Sequence, residues 1–374
     1  MTPVAVSPVH DERVAARLGL ALGVTFTICF LTGLYSHLAQ HPAWGFVLPA
    51  RPVGLYRLTQ GVHVATGIAS IPLLFAKLWS VYPQLFQWPP VRSVAHAVER
   101  LLVFPLVAGA IFLLFTGLAN IHLWYPWHFD FPRMHYRAAW ITIGALAVHV
   151  GAKWTTTRHA LRRDSTPADV TEPAAAAVDR RQFLWTAFGA SALVTVFGIG
   201  ETFRPLTRLA LLSPRRPDTG TQGFPVNATA QDSGVISLAQ SPDYRLVVSG
   251  NVAREISFTL DELRALPQHS ATLPISCVEG WSVSKRWTGV RMRDLLAMAG
   301  AASHASARVE SFQPSGSYRT ADVDHFQAHD PDTLLALQVD GEPLALDHGF
   351  PCRLIAPNRP GVMQTKWVKA VVVR

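Results

Sequence analysis

The sequence predicts a multi-domain protein: an N-terminal all-α bundle of four transmembrane helices plus a fifth anchor helix, then a C-terminal α+β soluble domain. Three observations carry this. Apolar types make up 49% of the 374 residues and charged types only 16%, with a mean hydropathy of +0.21; an ordinary soluble domain carries roughly 25% charged residues. Apolar stretches fall near 16–37, 58–81, 101–121 and 138–154, with a shorter uncharged one at about 183–200. Each of the first four can cross a hydrocarbon core of about 30 Å. After Arg204 the pattern changes to turn residues and then to short alternating runs.

In chain order, residues 1–160 are the four-helix block, 161–203 a cytoplasmic loop and the anchor helix, 204–234 a Pro- and Gly-rich linker, and 235–374 the soluble domain. In that domain YRLVVSG, ATLPISCV, CRLIAP and KWVKAVVV read as strands, with helical pieces TLDELRAL and RMRDLLAMAG between them. The composition excludes a disordered chain. Three cysteines, Cys29, Cys277 and Cys352, with no CxxC spacing, exclude a disulfide scaffold and a zinc or iron–sulfur site of that type.

The formal charge is +8. Much of it lies in one connection, at Lys153, Arg158, Arg162, Arg163, Arg180 and Arg181, and the positive-inside rule places that connection in the cytoplasm. The chain then starts in the cytoplasm and carries its C-terminal domain outside, as a multi-pass protein of a bacterial cytoplasmic membrane. Asp179-Arg180-Arg181-Gln182-Phe183-Leu184, directly before an apolar segment, is similar to a twin-arginine export signal placed internally. No aromatic-interleaved basic groove is present, so nucleic acid is not an expected partner.

Fifteen histidines exceed what packing requires. His135 and His149 lie fourteen residues apart on the fourth helix. They are therefore roughly 21 Å apart and within about 40° of one face, a separation that suits two stacked haems, one near each membrane surface. An imidazole in lipid is otherwise costly. His63 on helix two matches His135 in depth, and His96 on helix three matches His149. His37 or His122 are alternatives on the outer side. This block, about 14–160, resembles the bacterial cytochrome b561 type of membrane subunit, which implies two b-type haems. It departs in lacking a histidine at the inner end of helix one, where His96 serves instead.

Ser276-Cys277-Val278-Glu279-Gly280-Trp281-Ser282 ends a strand and opens a loop, and Trp287-Thr288-Gly289-Val290 then leads into Arg291-Met292-Arg293-Asp294-Leu295-Leu296. A second signature, Asp347-His348-Gly349-Phe350-Pro351-Cys352-Arg353, is followed by Pro357, Gly361, Lys366 and Trp367. With both motifs in this order, residues 220–374 resemble the sulfite oxidase family of molybdopterin enzymes, on the side of its periplasmic methionine-sulfoxide reductase branch. The resemblance implies a molybdenum–molybdopterin cofactor with Cys277 as the protein thiolate on the metal, a soft ligand suited to it. It implies a pterin phosphate held by His348, Arg353 and Lys366 with backbone around Gly361 to Thr365. Lys285, Arg286 and Arg291 fall near the cysteine loop and face either pterin or substrate. An upstream Arg-Asn-His element is absent before Val247, and the lead-in reads Gly223-Phe224-Pro225-Val226-Asn227-Ala228-Thr229.

Joined, the two resemblances imply an oxidoreductase that exchanges electrons between an extracytoplasmic small-molecule oxygen-atom donor or acceptor (a sulfoxide, N-oxide or oxyanion) and the quinone pool through haem. Two alternatives stand beside it: a sulfite-type oxidase feeding quinone, and a haem-based carrier with a non-catalytic outer binding domain.

Overall fold

The computed structural model describes residues 8–85, 88, 91, 93–162, 179–213 and 215–374. The middle of the expected cytoplasmic loop, 163–178, with Arg163 and the alanine run at 174–177, lies outside the described residues. The chain divides into two compact units, Met1–Gly33 with Val62–Ile199, and Leu34–Gly61 with Gly200–Arg374.

Five long helices build the first unit: α1 (Glu12–Gln40), α2 (Leu55–Leu85), α3 (Val94–Ile121), α4 (Phe131–Arg162) and α5 (Arg180–Ile199). Each overruns the apolar stretch that announced it, because polar turns extend the helix beyond the apolar run. Pro72 and Pro83 inside α2 and Pro105 inside α3 are accommodated, as prolines are in helices packed against neighbours. Large apolar side chains such as Leu31, Phe75, Leu101, Phe104 and Ile141 face outward, the reverse of a water-soluble bundle. Leu18, Leu22, Leu73, Ala110 and Leu184 form the inner cluster where α1, α2, α3 and α5 meet. Polar side chains inside are satisfied locally: Ser191 Oγ donates to Ala69 O at 2.7 Å and Lys77 Nζ to Ala15 O at 2.6 Å. Asp11 and Arg180 pair at 2.6 Å, so α1 and α5 start at the same end of the unit.

Among the described residues, α1, α2, α3 and α5 are long and apolar enough to cross a membrane. The helix α4, expected as a span, is more polar than these four. It carries Arg133, His135, Arg137, His149 and Lys153, and it lies against α3. A Cβ added to Gly109 would come within 2.2 Å of Thr142 Oγ1, so only glycine permits that approach.

The second unit holds two five-stranded sheets. One runs in the order β2 (Ile256–Thr259), β1 (Arg245–Gly250), β10 (Val368–Val373), β5 (Ala307–Ser311), β6 (Thr320–Val323). Its β1–β10 pair is parallel and its other pairs are antiparallel. The other sheet joins β3 (His269–Ser276), β4 (Ser282–Arg291), β7 (Leu334–Val339) and β8 (Glu342–Pro343), with β9 (Arg353–Ile355) paired to β7. Short helices at Leu260–Ala265 and Met292–Met298 close the core of the first sheet through Leu263, Leu295 and Leu296. The α+β expectation holds, and Cys352 packs in this core.

Two boundaries differ from the expected ones. Residues 34–61, assigned by hydropathy to the membrane block, pack within the second unit. Arg51 forks onto Asp330 at 2.9 and 3.0 Å, Tyr56 N donates to Asn358 Oδ1 at 2.6 Å, and Gln60 Nε2 donates to Val278 O at 2.9 Å. The stretch 204–234, expected as a linker, is also built in. Phe224 is fully buried, and Gln222 binds Pro343 O and Ala345 N. Turn-rich composition marks a lack of regular structure, which is a different property from freedom of the chain.

Candidate active site

The cysteine loop is shaped by backbone. Cys277 N donates to Trp281 O at 2.9 Å and Gly280 N to Cys277 O at 3.2 Å, with Gly280 at φ +104° supplying the reversal. Beneath it Pro360 bridges to Ser276, and a Cβ on Gly361 would stand 2.9 Å from Ser276 O. Glycine there is a matter of clearance. The loop is further held by Gln60 on Val278 O, Thr202 Oγ1 on Gly280 O, and Glu201 O accepting from Ser282 N.

Cys277 opens onto a cavity of about 210 Å³. Burial and the neighbouring Glu279 push its thiol up to about 12. Left to the protein alone it is an inert thiol, not an activated nucleophile; a metal cation at the sulfur is what would make it a thiolate. Asn227 Nδ2 donates to the same sulfur at 2.8 Å.

Of the residues singled out in the sequence, the structure brings Cys277, His348, Arg353, Gly361, Thr365 and Lys366 to this one cavity. His348 stacks on Phe224 at 3.6 Å between ring centroids. Its Nε2 donates to Thr221 O at 2.6 Å, which leaves Nδ1 as an acceptor on a neutral ring, since burial pushes it down to about 4. Two cations lie over indole faces, Arg353 5.6 Å from the Trp287 centroid and Lys366 4.4 Å from that of Trp367. Burial alone lowers Arg353 to about 9, and burial with the adjacent Arg353 lowers Lys366 to about 7. Arg353 Nε and Thr365 Oγ1 are buried without a hydrogen-bond partner in the protein. Buried donors are rarely left so. Two cations and two orphaned polar atoms in one wall, facing a buried thiol, fit a group that is soft-metal at one end and phosphate at the other.

Arg286 and Arg291 do not line the cavity. Arg286 is exposed on β4, its backbone bound to Asp340, and Arg291 turns to Asp294 at 2.7 Å. Lys285 is likewise engaged, with Gln222 O and Asp340 both at 2.9 Å. Sequence reasoning missed Gln313, Ser317 and Tyr318, and gave Asn227 no role. All four line the cavity from loops without spacing signals.

In the helical unit His63 and His135 face one another at 6.2 Å between ring centroids. His63 Nδ1 contacts Cys29 O at 2.8 Å, and that carbonyl can only accept. His135 Nδ1 contacts Thr116 Oγ1 at 2.8 Å, and that hydroxyl already donates to Phe112 O. Both Nδ1 atoms therefore carry the proton, and both Nε2 atoms keep a lone pair that could ligate a metal. Glycine flanks each ring, with a Cβ on Gly33 meeting His63 at 2.7 Å and one on Gly117 meeting His135 at 3.7 Å. These two residues fit a haem.

Thr116 meets His135 and Gly109 meets Thr142, which sets the register of α3 against α4 on one side of Pro105. His96 lies on the other side of that proline, two residues after the start of α3, and His149 lies within α4. His37, the rival for His63, lies against His41 at 4.9 Å, and His122 caps α3.

Residues 233–374 match the oxidoreductase molybdopterin binding domain. A protein named as a protein-methionine-sulfoxide reductase subunit, from Azospira oryzae, is 36% identical over 163 residues, covering 43% of this chain and 61% of that protein. A mitochondrial sulfite oxidase of Drosophila melanogaster is 32% identical over 156 residues, covering 35% of this chain and 27% of the oxidase. The chain thus spans under two thirds of either relative. Among solved structures, the sulfane dehydrogenase SoxCD of Paracoccus pantotrophus shares 26% identity at a TM-score of 0.33, over 35% of this chain and 38% of that one.

Proposed function

We propose, from the premise that residues 233–374 are a molybdopterin-binding oxidoreductase domain, that this chain is a membrane-anchored oxidoreductase. It exchanges electrons between a small oxygen-atom donor outside the cytoplasm and the quinone pool, by way of b-type haem in the helical unit. One observation carries the reading: a buried thiol opens on a cavity whose wall holds Arg353, Lys366, and the unpartnered Arg353 Nε and Thr365 Oγ1. In their proposed roles, Cys277 holds molybdenum, Arg353, Lys366 and Thr365 hold the pterin phosphate, His348 offers Nδ1 as an acceptor, and Gly361 leaves clearance for the loop.

Molybdenum on a pterin dithiolene supplies two-electron oxygen-atom transfer when bound. The protein orients it with a fixed thiol, keeps the phosphate end charged by two cations on indole faces, and bounds the cavity with Gln313, Ser317 and Tyr318, all neutral. That side suits an uncharged sulfoxide or N-oxide, which supports the reductive direction. Similarity to a sulfite oxidase supports the opposite one. His63 and His135 are the proposed haem ligands. His96 and His149 are the proposed ligands of a second haem. Helices α1, α2, α3 and α5, with α4 against α3, would span the bilayer, the basic connection staying in the cytoplasm.

The test uses the purified full chain in detergent. Near-stoichiometric molybdenum that Cys277→Ser removes supports the enzyme; a folded, cofactor-competent preparation without molybdenum leaves the outer unit a binding module. A Soret band is expected, and its absence would make the helices a haem-free anchor. Reoxidation of dithionite-reduced haem by a sulfoxide or N-oxide sets the reductive direction. Reduction of oxidised haem by sulfite alone reverses it.

A further inference from the structure

The cysteine sulfur has a hydrogen-bond donor outside the matched domain. Asn227, upstream of residue 233, points Nδ2 at Cys277 Sγ from 2.8 Å. An amide has two ends, and what decides which one faces the sulfur is Arg215. Its NH1 donates to Asn227 Oδ1 at 2.9 Å and to Val226 O at 3.2 Å. A guanidinium only donates, so the amide oxygen must turn to Arg215 and the amide nitrogen to the sulfur. Arg215 is itself fixed by Glu279, 3.6 Å away, whose carboxylate also accepts from Trp281 Nε1 at 3.3 Å. Asn227 is exposed at the cavity mouth, so its aim comes from these two partners and not from burial.

We propose that Asn227, oriented by Arg215, is a positioning residue that tunes the metal centre by donating a hydrogen bond to the Cys277 ligand sulfur. The inference rests on the functional reading above, in which that sulfur binds molybdenum. A donor at a ligating sulfur draws electron density from it, so the sulfur gives less to the metal and the oxidised metal is less stabilised. Hydrogen bonds to cysteine sulfurs set potentials in this way at copper and iron–sulfur sites. The Arg215–Glu279 pair makes the effect remote: removing the guanidinium frees the amide to turn its oxygen toward the sulfur, although neither residue of that pair need touch the metal.

The experiment measures molybdenum content, the sulfur-to-metal charge-transfer band and the metal midpoint potential in the full chain and in N227L, R215M and the double variant. In N227L the band is expected to move to lower energy and the midpoint to more negative values. R215M is expected to give a smaller shift of the same sign, R215K to restore most of the wild-type values, and the double variant to match N227L. Unshifted band and midpoint in metal-loaded N227L overturn the proposal. If N227L fails to hold the metal, R215M, which leaves the amide in place, decides by the same two readouts. A wild-type chain without molybdenum fails the functional reading itself, whereas a loaded wild type with unshifted variants fails only the role of Asn227.

Discussion

Lys366 is the residue at which the fold sets a charge against its surroundings. Its value of about 7 in the folded chain lies below its ordinary 10.5. Between those values the unfolded chain binds the additional proton, so the penalty for this group is full below pH 7 and relieved as pH rises through the window. A phosphate needs the ammonium form. Loading the phosphate-bearing cofactor into cofactor-free full chain therefore takes up a proton above pH 7, and affinity should fall toward a limit of about tenfold per pH unit. Lys366→Met should flatten that slope and weaken loading at pH 6; an equally steep slope in the variant would assign the dependence elsewhere. A second prediction concerns Thr116. Its Oγ1 fixes the His135 tautomer, so at the proposed haem site Thr116→Val should weaken haem retention roughly 10- to 100-fold, read from the Soret band during dilution in detergent. At this scale Cys277 from one motif and His348, Arg353, Gly361, Thr365 and Lys366 from the other line one cavity, because each motif brackets the end of a strand in the same sheet. Arg286 and Arg291 lie close to the cysteine loop in sequence but do not line that cavity. Asn227 stayed without a role because its partner sulfur is fifty residues away.

At the scale of elements, hydropathy found all five long helices but not where they cease to belong together. The segment 34–61 falls within the expected four-helix block as the connection between its first two spans, and yet it is seated by Asn358. That residue, buried at φ +50°, accepts from Tyr56 N and donates to Pro49 O, both at 2.6 Å. Asn358→Ala loses both bonds and places a Cβ-bearing residue without asparagine's αL tolerance there. A loss of about 2 kcal/mol or more is expected, since each buried group left unpaired costs about 1–3 kcal/mol. Thermal unfolding of the full chain in detergent measures it, with Asn358→Gly, which keeps the backbone freedom, separating strain from bonding. No pattern of residue types could have announced this seat, because it joins positions some three hundred residues apart. The linker expectation failed for a related reason: Gln222 and Phe224 are anchored by side-chain contacts to residues far along the chain.

For the whole molecule, the proposed function needs a soluble catalytic unit and a helical electron-carrying unit made from one interleaved chain, with 34–61 crossing from one to the other in sequence. The two-part architecture was legible from composition alone, because bilayer and water impose opposite surface chemistry. The α3–α4 contact brings a prediction at this scale. Gly109→Val would drive a side chain into Thr142, so the pair should separate and the Soret band and the His135 environment should both be lost. Unchanged haem content in Gly109→Val would show that the close approach is dispensable.

The polarity of α4 also bears on how the chain is made. If the helical unit spans a bilayer as proposed, its most polar helix would enter alongside a more apolar companion, and the nine residues between Ile121 and Phe131 are short enough to deliver α3 and α4 as a single hairpin. Insertion and assembly would then be one event, and a fault in helix pairing would be met first by the translocation machinery and its quality-control proteases.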